Sequence, residues 1–167
     1  MARSFDLAAE YQGSVAEVHS ALCDKKYWLA RLADSGADDA VLDSLTVGAD
    51  GGVRVATTQV LRADRLPGLV TQLHRGDLRI TRQEVWSPVT DGTSKATITA
   101  AVPGAPVAVT GSGRLWGTAT GSKADFRVAV EVKIPLVGGK VEGFIGTQLV
   151  DLLVSEQRFT SSWIARD

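Results

Sequence analysis

The stretch Ala124–Asp167, ADFRVAVEVKIPLVGGKVEGFIGTQLVDLLVSEQRFTSSWIARD, changes its period once, and that change decides the fold. Up to Ile134 the period is two. Phe126, Val128, Val130, Val132 and Ile134 fall on one side, and Asp125, Arg127, Glu131 and Lys133 on the other. This is a strand with one apolar and one wet face, as in an antiparallel sheet. Past Pro135 the period becomes helical. At about 100° per residue, Val141, Ile145, Leu149, Leu152, Phe159 and Trp163 share an arc of about 80°, and Leu153 and Ile164 widen it. Roughly 27 helical residues reach about 40 Å. A sheet with a single apolar face needs a cover, and no other segment is large enough to supply it.

Working outward, RSFDLAAEY alternates from Ser4 to Glu10, with Phe5, Leu7 and Ala9 on one side. Ser14 followed by Glu17 has capping-box spacing and starts a helix. KKYWLARLADSG is a second short helix that ends near Gly36. AVLDSLTV and VRVATTQVLR then flank GADGG as a hairpin. RLPGLVTQLHRGD is a short helix or a folded loop carrying Leu69, Val70 and Leu73. Strand segments follow in LRITRQEVWSPV, KATITAAV and VAVTGSGRLWGTA, separated by TDGTS and PGAP. The order is strand, two short helices, about six strands and one long helix. It predicts an α+β helix-grip fold, a curved antiparallel sheet of about seven strands around the C-terminal helix, in one domain spanning residues 1–167.

The charge is nearly balanced, with 18 basic and 19 acidic residues, which argues against a general nucleic-acid binder. The lone cysteine, Cys23, excludes an internal disulfide and fits a reducing compartment. MARSFDLAAEYQ lacks the apolar core of a signal peptide, and no run of 18 apolar residues suggests membrane insertion. The expectation is a cytoplasmic protein, a monomer or weak dimer, with no integral membrane association.

The element order and the junction PLVGGKVEGFI resemble the START-like helix-grip superfamily, which includes pathogenesis-related and polyketide-cyclase-type domains. More narrowly, nearly the whole chain, from RSFDLAAEY to SSWI, resembles the actinobacterial DUF2505 family. The superfamily resemblance implies a cavity between sheet and helix that takes lipids, sterols or aromatic polyketides. The narrower one transfers no reaction.

Glu156 lies at about 60° on the helical wheel, inside the apolar stripe, and Gln148 lies at its edge. An unpaired buried carboxylate is costly, so Glu156 requires a partner, a proton or water. It is either one half of an ion pair or a polar anchor for a ligand head group. A catalytic acid or base is a third role. The period of LRITRQEVW puts Arg82 and Glu84 on the side of Ile80 and Trp86, which makes Arg82 a candidate partner. Thr57 and Gln59 share a face with Val53, Val55 and Leu61. The tryptophans, Trp116 among them, read as core or cavity wall. Gly138, Gly139, Gly143 and Gly146 weaken the helix start and point to close backbone packing or a thin cavity wall.

The expected ligand-binding set is therefore Gln59, Arg82, Glu84, Trp86 and Trp116 from the sheet. From the helix it takes Phe144, Ile145, Gln148, Leu149, Leu152 and Glu156. His19 and Cys23 have a spacing that can hold a metal, but too few further ligands exist to close a site. No G-x-S-x-G or phosphate-loop motif occurs. No catalytic residue, metal or cofactor is assigned. The function this supports is binding or carriage of a hydrophobic or amphipathic small molecule, such as a lipid, fatty acid or polyketide-like compound. The alternatives are a cyclase or aromatase using cavity carboxylates, and an interaction module with a filled core.

Overall fold

The computed structural model describes residues 2–65, 68, 76–136 and 138–166. Among the described residues, seven strands form one sheet: β1 (Arg3–Tyr11), β2 (Asp39–Val47), β3 (Val53–Leu61), β4 (Leu78–Trp86), β5 (Thr93–Ala101), β6 (Val107–Thr118) and β7 (Gly121–Val132). Their spatial order is β1-β7-β6-β5-β4-β3-β2, and every neighbouring pair is antiparallel. Helices α1 (Val15–Leu22) and α2 (Lys25–Ala33) carry the chain from one sheet edge to the other. Helix α3 (Gly138–Ala165) follows β7 and lies against β1 and β7, touching α1 and α2 towards its end. This is the helix-grip α+β arrangement expected from the order of periods. The segment holding Leu69, Val70 and Leu73 lies outside the described residues.

Local chemistry accounts for the boundaries. Ser14 Oγ accepts from the Glu17 amide at 3.1 Å, and Glu17 Oε1 accepts from the Ser14 amide at 3.2 Å, completing the capping box of α1. Asp24 caps α2 by accepting from the Lys26 amide at 2.9 Å. Asp91 and Gly92 both have positive φ, 54° and 73°, and Thr90 and Thr93 bond each other across them, a two-residue turn suited to the twist of a hairpin. Among the described residues no helix is long and apolar enough to cross a membrane.

Among the described residues, two apolar clusters fill the grip. One gathers Val18, Leu22, Tyr27, Trp28, Val53, Val55, Trp86, Leu115 and Ala124, with Phe159 and Trp163 of α3 packed on it. The other gathers Val109, Val128, Val130, Val132 and Val141, with Ile145, Leu149 and Leu153 against it. The glycines of α3 explain how the helix comes so close to β1. A Cβ at Gly146 would fall on the Phe5 ring, and one at Gly143 would meet an Arg3 guanidinium nitrogen at 2.7 Å. Close packing is the reading that holds for these two. Nothing lies within 4 Å of a Cβ at Gly139.

Candidate functional site

Antiparallel register decides what the interior contains. In β4, Glu84 and Trp86 are buried and Arg82 is nearly so, all on the inward parity expected from the sequence. Arg82 pairs with Thr57 of β3 and Ala100 of β5, and Glu84 with Val55 and Ile98. The small Ala100 and Thr57 leave room for a guanidinium on this face. From the opposite side α3 brings Glu156, and α2 brings Arg31.

The four charged side chains meet. Arg82 holds Glu156 with two parallel bonds, Nη1 to Oε2 at 2.9 Å and Nη2 to Oε1 at 3.1 Å. Arg31 Nη2 reaches Glu156 Oε1 at 2.7 Å. Glu84 Oε2 sits 3.5 Å from Arg31 Nη2 and 3.3 Å from Arg82 Nη2, and Trp86 Nε1 donates to its other oxygen at 3.4 Å. Arg31 also stacks on Trp28, 4.5 Å from the ring centroid, so the cation is covered by a π face rather than by water.

A neutral chain extends the cluster. Thr160 donates to the Glu156 carbonyl at 2.8 Å, so its oxygen accepts from the Tyr27 hydroxyl at 2.6 Å. The Tyr27 oxygen in turn accepts from Arg31 Nη1 at 3.3 Å. One polar donor is left over: Arg82 Nε is the only buried side-chain nitrogen or oxygen among the described residues without a partner.

Burial alone would raise the Glu156 pKa, but the charges of Arg31 and Arg82 outweigh it and lower the value to about 2. Glu156 is therefore ionised at neutral pH. Burial, with the facing Tyr27, pushes the Tyr11 phenol up, well above its ordinary range.

The cluster borders a cavity of about 40 Å3. Arg31, Arg82, Glu84 and Glu156 line it together with apolar side chains that include Leu7, Trp86, Leu115, Phe126 and Leu153. About one probe sphere, or 10–15 Å3, admits a water, whereas drug-sized ligands occupy about 300–1,000 Å3. In this state the space is water-sized.

The profile of the DUF2505 family, described as a protein of unknown function, matches residues 6–164. The chain belongs to the DUF2505 family. This DUF2505 protein is 47% identical over 179 residues to uncharacterised proteins of Mycobacterium tuberculosis and Mycobacterium bovis, over 100% of its own length and 99% of theirs. Its fold is shared with the di-domain ARO/CYC StfQ of the steffimycin biosynthetic pathway, at TM-score 0.64 and 13% identity over 97% of this chain and 50% of that one. Ara h 8.0201 is similar at TM-score 0.57 and 10% identity, over 98% of both chains. At such identities the likeness extends to the fold alone.

Of the eleven side chains expected to contact a ligand, Arg82, Glu84, Trp86 and Glu156 line the cavity and the other seven do not. Trp116 is on the wrong face. Leu115 is the inward residue, and Trp116 lies outside beneath Arg114, whose guanidinium is 4.3 Å from its ring centroid. Gln148 is exposed. Ile145 and Leu149 pack on the valines of β6 and β7, away from the charges. Phe144 and Leu152 are half-buried on α3, and Gln59 is half-buried on the inner face of β3, opposite Ile80. The physical reason is helix rotation. Besides Gly138 and Val141, the buried positions of α3 are Glu142, Gly146 and Thr160, which lie at about 100–140° on the wheel, past the 80° edge of the leucine stripe.

Sequence reasoning passed over Arg31, Tyr11, Tyr27, Thr160 and Glu142. Tyr27 and Arg31, four residues apart, share one face of α2, and this spacing is the signal that would have exposed Arg31. Glu142 is buried and accepts from the Val132 amide at 2.9 Å, securing the end of β7 to the first turns of α3. His19 is occupied. Its Nε2 donates to the Ser87 carbonyl at 3.1 Å, which leaves Nδ1 as acceptor towards Cys23 Sγ at 3.8 Å. Among the described residues no group of three His, Cys, Asp or Glu gathers that could hold a metal.

Proposed function

We propose that this DUF2505 protein binds a hydrophobic or amphipathic small molecule between the sheet and α3, without acting on it chemically. The supporting observation is a gradient along the inner face. Val53, Val55 and Trp86 are fully buried at one end of β3 and β4, whereas Gln59, Leu61, Leu78 and Ile80 at the other end are only half-buried. An apolar, partly open flank thus leads towards a cavity whose far wall carries fixed polar groups, the usual composition of a ligand site. A ligand larger than a few atoms requires α3 to move away from β3 and β4; α3 packs chiefly on β1 and β7 and meets β4 through the Arg82–Glu156 pair.

Acid–base turnover is a poorer fit. A general acid at neutral pH needs a proton to give. Glu156, the carboxylate with the best placement, is held ionised by Arg31 and Arg82. The small volume favours one other reading, a filled core serving as an interaction module. Two measurements decide: native mass spectrometry of freshly purified protein, and calorimetric titration with nine-carbon ketone, acid and amine probes. Binding predicts a co-purifying small molecule or a saturable isotherm, with Kd of order 1 µM, about −8 kcal/mol. Leu153→Trp, which fills the cavity, weakens the affinity, and Trp116→Ala on the outer face leaves it unchanged. A protein that carries nothing and gives no isotherm with any of the probes is the filled-core module.

A further inference from the structure

The ligand class follows from the charge and donor count of the cavity wall, and this step rests on the binding reading above. The wall carries two guanidinium groups, Arg31 and Arg82, and two carboxylates, Glu84 and Glu156. Its formal charge is zero. Every ion pair is already made, within distances of 2.7 to 3.5 Å. An anionic head group entering here would leave the cluster one negative charge in excess and would stand beside two carboxylates that share the same guanidiniums. A cationic head group would meet the two arginines. Either would be an uncompensated charge in a low-dielectric interior, the most costly state for a buried site.

One group is unspent. Arg82 Nε–H is buried, belongs to a residue lining the cavity, and has no acceptor. A buried donor on a charged group is expensive to leave unsatisfied, so a ligand that supplies an acceptor there is selected over one that does not. The adjoining walls, Leu7, Leu115, Phe126 and Leu153, are apolar.

We propose that the DUF2505 site selects an uncharged apolar molecule bearing one acceptor oxygen, a ketone, ester or hydroxyl, received by Arg82 Nε–H. The balanced quartet excludes carboxylates and amines of the same skeleton. Fatty acids, one class implied by the superfamily resemblance, are thereby disfavoured in their ionised form.

The test compares 2-nonanone, nonanoate and nonylammonium by calorimetry at neutral pH on the full chain. The ketone should bind at least about tenfold tighter than either ion, because only the ions bring an uncompensated charge into the buried site. The Arg82 Nε–H resonance in a 15N-correlated spectrum should move on ketone addition and stay in place with the ions. Arg82→Lys keeps the cation and so the exclusion of ions, but removes Nε, so it should weaken ketone binding and leave the ions no better bound. If that variant fails to fold, the wild-type resonance carries the test alone. Nonanoate binding as tightly as the ketone, or a ketone that binds with Arg82 Nε–H unmoved, overturns the proposal while the binding reading stands. No binding by any of the three overturns both.

Discussion

Arg82 on β4 and Glu156 on α3, 74 residues apart in the chain, face each other as a two-bond fork at 2.9 and 3.1 Å. Arg31 of α2 closes on the same carboxylate. One acidic side chain therefore ties the sheet, the short helices and the long helix together at a single point.

Replacing Glu156 with Leu leaves two buried guanidiniums sharing Glu84 alone. Removing one member of a buried ion pair costs about 3–5 kcal/mol, because the remaining charge is uncompensated. Urea denaturation at pH 7 should show a loss in that range. A variant as stable as wild type would mean that the cluster is hydrated in solution.

The same carboxylate sets an acid dependence. Its folded pKa is lowered to about 2, below the unfolded value of about 4.3. Its stabilising contribution is thus complete above the unfolded value and is lost as pH falls through the folded one. The stability difference between wild type and Glu156→Gln should be constant from neutral pH down to about 5 and shrink steadily towards pH 2. A difference independent of pH across that window would contradict the assignment.

Gly146 and Gly139, both in the first turns of α3, should respond to alanine in opposite directions. At Gly146 the methyl collides with the Phe5 ring, and overpacking of this kind costs typically about 1–3 kcal/mol. At Gly139 the methyl enters open space, so the helix gains up to about 1 kcal/mol. Thermal melts of the two variants should bracket the wild-type midpoint.

Tyr27→Phe removes the hydroxyl that links Arg31 to Thr160. It strands a buried donor and acceptor, with an expected cost of about 1–3 kcal/mol, while leaving the ring contacts to Trp28 and Trp163 in place. Guanidinium denaturation checks it, and near-wild-type stability would show that water replaces the hydroxyl.

Ser14→Ala opens the capping box of α1 and should cost about 1 kcal/mol. Glu17→Ala should cost less, since it removes the reciprocal bond but leaves the Ser14 cap. Equal losses for the two would show that both bonds are needed together.

Patterns internal to one segment were legible in the sequence by itself. The period-two runs located the strands, Ser14 with Glu17 and Asp91 with Gly92 located a helix start and a turn, and strand parity placed Arg82, Glu84 and Trp86 on one face. Such features depend on neighbours a few residues away, and the parity of a strand admits only two answers. The Glu156–Arg82 pair could be anticipated because each was a charge on an apolar face and buried charges need partners.

What tertiary structure alone decided was rotation and depth. A helical stripe is wide enough that α3 could present several faces. Contact of Gly143 and Gly146 with Arg3 and Phe5 of β1 turned it so that Ile145 and Leu149 met the valines of β6 and β7 and Gln148 met solvent. Arg31 joined the cluster because α2 packs against β2 and α3; the Tyr27–Arg31 spacing marks a shared face, but only packing decides what that face meets. The cavity volume, about 40 Å3, is the small remainder between packed side chains, and no single segment specifies it.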